Sequence, residues 1–267
     1  MRHVQEFRTI PVLLKRLLEA LGNPCLSLGD IAAFVSKDQA LAARLLKTAN
    51  SPFFGMSRKI SSIQQALVLL GINTAKSLLL GVTLFHNLRG MEGLWAHSVG
   101  TASVAAVMAR RQALANHAEV FTAGLLHDVG KVFLAAKFPP EYRRALSLTQ
   151  ERGTLIVDAE RETFDATHAE AASWALEHWH LPAQLIQAIR YHHEPFFATM
   201  WCTETAVVHV ADILTRARGF GSGGDALVPL IDNTVWKQLR LSKAEIEAIL
   251  SESEETLEEA KSFLSFP

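Results

Sequence analysis

The sequence predicts an all-α fold, and three observations predict it. Helical periodicity runs through almost the whole chain, β-branched alternating segments are nearly absent, and proline, glycine and capping residues separate the periodic segments. Hydrophobic residues make up 49% of the 267 and charged residues 20%, a balance that supports a packed interior rather than disorder. Three regions follow along the chain. A five-helix lobe occupies residues 1–90, a second helical lobe 91–218, and a flexible break with a helical tail 219–267.

In the first lobe, Pro11 heads VLLKRLLEALG, which stops at Gly22-Asn23-Pro24. Ser27 leads into LGDIAAFVSKD, and Asp38 is placed to cap QALAARLLKTANS, which Pro52 ends. Ser62 precedes IQQALVLLG, where Gly71 is a natural C-cap, and Asn73 starts TAKSLLLGVTLFHNL. The second lobe opens at Leu94 with a long helix rich in small residues, LWAHSVGTASVAAVMARRQAL, suited to close helix packing. Glu119 to Phe138 is apolar nearly all round and reads as one central buried helix. PPEYRRALSLTQERG forms another. Thr167 and Glu170 make a capping box ahead of EAASWALEHWH, Pro182 starts AQLIQAIRYHH, and Pro195 stops it. Glu204 to Arg218 is helical, GFGSGGD reads as a flexible break, and the tail carries an acidic, solvated face.

Lys and Arg number 26 against 27 Asp and Glu, so a net charge of -1 provides no electrostatic footprint for nucleic acid or an anionic membrane. Cys25 and Cys202 lie far apart without CxxC spacing, which argues against a disulfide framework or thiolate zinc site and suits a reducing cytoplasm. The first 22 residues carry charges through their apolar run and show no small-residue cleavage site, so no signal peptide is expected. The most apolar stretch, Val120 to Phe138, contains His127, Asp128 and Lys131 and does not read as a membrane span. No GxGxxG, GxxxxGK[ST] or GxSxG is present, which argues against a nucleotide loop or a nucleophile elbow.

His127, Asp128 and Lys131 interrupt the apolar run AEVFTAGLLHDVGKVFLAA, and burying them unpaired would cost several kcal/mol. Lys131 lies one helical turn from both, so all three can border one pocket. His97, His168, His192, His193 and Asp212 sit on neighbouring segments and complete a candidate ligand set of imidazoles and carboxylates. Such a set suits iron, manganese, nickel or zinc, and seven candidates (His97, His127, Asp128, His168, His192, His193, Asp212) allow one ion or two. Two ions together activate water and hold a phosphoryl group for in-line attack, with Lys131 and Asp128 as the candidate catalytic residues. The alternative reading is a buried His-Asp hydrogen-bond pair without metal. His3, His86, His117, His178 and His180 read as surface or packing residues, and His209 as a support or core residue three positions before Asp212.

The run LLKTANSPFFG…ISSIQQALVLLG, with PVLLKRLLEAL and DIAAFVSKDQA ahead of it, resembles the N-terminal half of HDOD domains (HD-related output domains). LWAHS, AGLLHDVGK, THAEAASWALEHWHLP, IRYHHEP and VHVADIL continue the resemblance, which covers roughly residues 10–215. It implies a bacterial signalling protein in which the first lobe packs on an HD-domain-like helical bundle. Many members of that family lack the catalytic residues of HD hydrolases. This chain keeps His127-Asp128 and Lys131, and His97, His168 and His192 or His193 resemble the additional ligands of HD-GYP phosphodiesterases; Asp212 matches the terminal aspartate. After HHEP the chain reads FFATMWCTETAVVHVAD, without the glycine-rich segment by which those phosphodiesterases contact a cyclic dinucleotide. The expectation is therefore a regulatory module with a retained metal pocket and signalling proteins as partners. A phosphohydrolase acting on a nucleotide, a cyclic nucleotide or another phosphorylated small molecule is the alternative.

Overall fold

Helix ends in this chain are written in its capping residues. The computed structural model describes residues 27–37, 42–43, 45–46, 49–50, 60–86, 92–179 and 181–264, among which there is no strand. The helix expected behind Pro11 lies outside the described residues, as does much of the one behind Asp38 and hence the count of five in the first lobe. Helix α1 (Leu28–Val35) opens on Ser27, whose hydroxyl accepts from the Asp30 N–H while the Asp30 carboxylate accepts from the Ser27 N–H. The Ser27 hydroxyl also donates to that carboxylate and helps hold it below its ordinary pKa. Helix α2 (Ile63–His86) breaks at Gly71, whose φ of 72° and ψ of 161° only glycine adopts readily.

Helix α3 (Glu92–Arg111) is buried along most of its length, and its small residues admit α4 (His117–Leu126) to backbone contact. A Cβ on Gly124 would lie 2.9 Å from the Ala102 Cα. The single helix expected over Glu119 to Phe138 is instead two, α4 and α5 (Val129–Lys137), which meet in a turn at His127-Asp128. Asp128, with ψ near 5°, bends the chain, and the His127 Nδ1–H donates to the Gly124 carbonyl at 2.7 Å. That side chain thus satisfies a carbonyl at the end of α4. The Lys131 N–H closes the next turn on the Asp128 carbonyl at 3.0 Å.

Helix α6 (Pro139–Arg152) ends on Gly153, and α7 (Ile156–Phe164), which periodicity does not mark, turns Ile156, Val157, Ala159 and Glu160 inward. Helix α8 (His168–His178) begins with the expected Thr167–Glu170 capping box. Thr167→Ala should lower stability by about 1 kcal/mol in urea denaturation, the usual loss for such a cap. Helix α9 (Ala183–Arg190) stops short of Pro195, so His192 and His193 stand in a turn and not on a helix as expected. Helices α10 (Cys202–Ala217), α11 (Asn233–Gln238) and α12 (Lys243–Leu264) complete the chain. Along α12, Glu245 and Glu252 do not simply face solvent. Arg111 on α3 pairs with Glu245 at 2.8 Å and Glu252 at 3.1 Å, and Ile249, Ser253 and Leu257 are buried. No helix among the described residues is long and apolar enough to cross a membrane.

Candidate metal centre

Five stretches of chain converge on one buried volume. His97 comes from α3, His127 and Asp128 from the α4–α5 turn, His168 from the first residue of α8, His192 and His193 from the turn after α9, and Asp212 from α10. His97, His127, Asp128, His168 and His192 have no exposed surface, and Asp212 is 2% exposed. All seven sequence candidates for metal ligation are thereby brought together. His117 and His178 are exposed, as expected of surface residues.

The seven fall into two groups, each with ligand atoms within 4.8 Å of one another: Asp128, His168, His192 and His193, and His97, His127 and Asp212. In the first, the His168 Nε2 lies 3.1 Å from Asp128 Oδ1 and 3.0 Å from His193 Nε2. In the second, the His97 Nε2 lies 2.9 Å from Asp212 Oδ1 and 3.3 Å from His127 Nε2. The Asp128 carboxylate stands between the groups. Its Oδ1 faces His168 and His192, and its Oδ2 lies 3.3 Å from His127 and 3.6 Å from His97.

Acceptors fix the backs of three of the five imidazoles, while His97 Nδ1 is buried without a partner. Besides His127 on Gly124, the His192 Nδ1–H donates to the Ile189 carbonyl at 2.6 Å, and the His168 Nδ1–H to the Glu160 carboxylate at 2.6 Å. Each such bond leaves the neutral ring's Nε2 lone pair turned into the cluster, which is how metal-binding histidines are held. His209 supports from behind: its Nδ1–H donates to the His192 carbonyl at 2.8 Å, and its Nε2 accepts from the Asp232 N–H at 3.4 Å. It is a support and core residue, as expected.

Burial pushes the Asp128 carboxyl up, but His127 and Lys131 overcome it and hold the group well below the usual carboxylate range. Asp212 follows the same pattern, with Arg216 and His97 opposing its burial. Burial holds His192 and His193 far below the ordinary imidazole value, and neighbouring histidines push them further. For His168, burial lowers and Glu160 raises, with a net rise. Ionised carboxylates thus share the centre with His192 and His193, whose rings stay neutral and keep a lone pair. His192 Nε2 is buried without a hydrogen-bond partner, 3.9 Å from Asp128 Oδ1. Lone pairs so placed repel one another unless a cation sits among them, so the residues present fit a divalent ion.

Several residues that matter here escaped the sequence reading. Glu160, fully buried, accepts from both the backbone N–H and the ring of His168. Glu160→Gln keeps the acceptor and removes the charge; metal affinity should fall by about ten- to a hundredfold in chelator competition, with helicity unchanged. Arg216 joins Asp212 at 3.0 Å to Asp225 at 3.1 Å, and the i,i+4 spacing of Asp212 and Arg216 was the available signal. Lys131 has no exposed surface; its Nζ donates to Asp128 Oδ2 at 2.6 Å and to the Gly223 carbonyl at 2.7 Å. The segment GFGSGGD, expected as a flexible break, is therefore a packed part of the centre. The Ser222 N–H bonds the Gly93 carbonyl at 2.8 Å, and a Cβ on Gly221 would lie 2.2 Å from the His97 nitrogen.

A cavity of about 200 Å³ leads from the surface to His193 of one group and Asp212 of the other, so both groups are reached from one mouth. A helical fold with two adjoining His–carboxylate groups, Asp128 standing between them, defines a protein with a buried centre able to hold a metal ion. The chain belongs to the HDOD domain family, whose sequence model matches residues 7–195. An uncharacterized protein of Treponema pallidum (strain Nichols) is 32% identical over 194 residues, which are 69% of this chain and 37% of that protein. The chain thus spans little more than a third of the length of that curated relative. The crystal structure of an HDOD domain protein of unknown function from Geobacter sulfurreducens is 28% identical with a TM-score of 0.71, covering 97% of this chain and 92% of that one. A Shewanella amazonensis SB2B protein provisionally named a phosphohydrolase shares the fold, with a TM-score of 0.71, 20% identity and coverage of 98% and 96%.

Proposed function

We propose that this HDOD protein holds two divalent ions in the paired groups and hydrolyses a phosphoester at the cavity end. One observation carries the reading: the Asp128 carboxylate lies between two sets of inward-facing imidazoles, one oxygen to each. Asp128 would offer one carboxylate oxygen to each site. His168, His192 and His193 would complete one site, and His97, His127 and Asp212 the other. Bound divalent ions would lower the pKa of a water and draw electron density from a phosphoryl group. The donor set of imidazole and carboxylate, without thiolate, suits iron, manganese, nickel or zinc. The chain's own part is to fix the rings of His127, His168 and His192 with Nε2 inward and to neutralise Asp128 and Asp212 partly through Lys131 and Arg216. Elemental analysis of purified protein should find two equivalents of such a metal. The metal-loaded protein should then release phosphate from at least one class in a broad phosphoester panel.

The placement of Lys131 favours a second reading, a regulatory module that binds at this pocket without turnover and acts on signalling proteins. Its Nζ is engaged by Asp128 and Gly223 and is absent from the cavity wall, so it is not poised as an electrophile toward a ligand there. Metal-loaded protein that binds phosphorylated compounds yet releases no phosphate would establish this reading over the first.

A further inference from the structure

The wall of the cavity narrows the class of ligand. Leu155, Ile156, Ile213, Pro229 and Leu230 form its apolar side. Its volume of about 200 Å³ falls below the ~300–1,000 Å³ usual for ligand sites. Apart from Asp212, which belongs to the proposed metal site, the charged side holds three carboxylates, Asp158, Glu194 and Asp225, against two guanidinium groups, Arg161 and Arg216. Both guanidinium groups are already engaged. Arg161 reaches Glu194 at 2.9 Å and Asp158 at 3.9 Å, and Arg216 reaches Asp212 at 3.0 Å and Asp225 at 3.1 Å. Among the described residues, no cation on this wall stands unmatched by a carboxylate. The positive charge that draws a phosphate would come from ions held by the two groups, which meet the cavity at His193 and Asp212, and not from its sides.

We propose that the cavity admits a compact ligand carrying one phosphoryl group on an uncharged, partly apolar body, and turns away ligands with a second phosphate. A second phosphate would have to lie against a wall whose net charge is negative, and like charge there costs binding. A cyclic dinucleotide fails on both size and charge. A small phosphomonoester satisfies both, placing its phosphoryl group at the centre and its body against Ile156, Ile213 and Leu230. The inference rests on the proposed function for the metal that draws the phosphoryl group and for what happens to the ligand, and on the wall for which ligands are turned away.

The experiment loads the full chain with manganese and measures binding by calorimetry, and phosphate release in parallel. Glycerol phosphate, a nucleoside diphosphate and a cyclic dinucleotide serve as probes. Glycerol phosphate should bind at least about tenfold more tightly than either of the others, a gap of one well-formed contact. Equal or tighter binding of the diphosphate or the cyclic dinucleotide overturns the proposal, and failure of all three to bind overturns it together with the hydrolytic reading. Selective binding without phosphate release upholds the wall's selectivity and overturns only hydrolysis. A Glu194→Gln/Asp158→Asn variant, which frees Arg161, should improve diphosphate binding by up to about fivefold and leave glycerol phosphate nearly unchanged. An unchanged diphosphate affinity in that variant overturns the role given to the wall.

Discussion

Replacing Gly130 with alanine should remove the folded protein, with a loss of more than about 4 kcal/mol and little soluble product at growth temperature. A Cβ at this position would lie 1.8 Å from the His168 carbonyl oxygen, 2.7 Å from its carbon and 3.0 Å from the Ala172 nitrogen. All three are backbone atoms of α8, so no side-chain rotation relieves the collision, unlike an ordinary overpacked core position at about 1–3 kcal/mol. Separating α5 from α8 would open the contact made by buried Ala172, Ala175 and Leu176. It would also draw His168 away from Asp128, now 3.1 Å distant. Gly29→Ala is the control: its Cβ meets only the Ser27 hydroxyl at 3.5 Å, and the change should stay within about 1 kcal/mol. Denaturation midpoints and soluble yields of the two variants check the result. Wild-type stability in Gly130→Ala would contradict so close an approach.

Gly130 also shows what could and could not be read from the sequence. Helix ends were legible where chemistry marks them, as at Ser27, Gly71 and Thr167, because caps and breaks act within four residues. The seven ligand candidates were legible because a histidine or aspartate inside an apolar run needs a partner. Their division into groups of three and four was not, since it depends on how five separated stretches meet. Glu160 gave no signal. It lies among Asp158, Arg161 and Glu162 on a helix whose polar face hides it, and only the fold aims it at His168. The glycines of GFGSGG misled for a related reason. Glycine marks either freedom or close approach, and here Gly221 against His97 required the second. The continuous helix expected over Glu119 to Phe138 failed because apolarity on all faces records burial, which two short helices share equally well with one long one.

Asp128→Ala should abolish metal binding at both groups, taking the metal content from the proposed two equivalents to none, because one carboxylate faces both. It should also weaken the metal-free protein by about 3–5 kcal/mol, since the Lys131 ammonium, wholly buried, loses its 2.6 Å partner. The two effects separate in a second variant. Asp128→Asn with Lys131→Met removes both charges at similar volume; it should regain most of the stability while the metal content stays near zero. Acid titration of the metal-free proteins gives a further check. The folded Asp128 carboxyl is held well below its ordinary value. Its contribution is therefore complete above the unfolded value of about 3.9 and fades as the pH falls below it. Wild-type protein should lose stability steeply through that acid window, and the double variant should lose less. Metal retained at full occupancy in Asp128→Ala would show that the two groups do not share this carboxylate, and the dinuclear reading would fall with it.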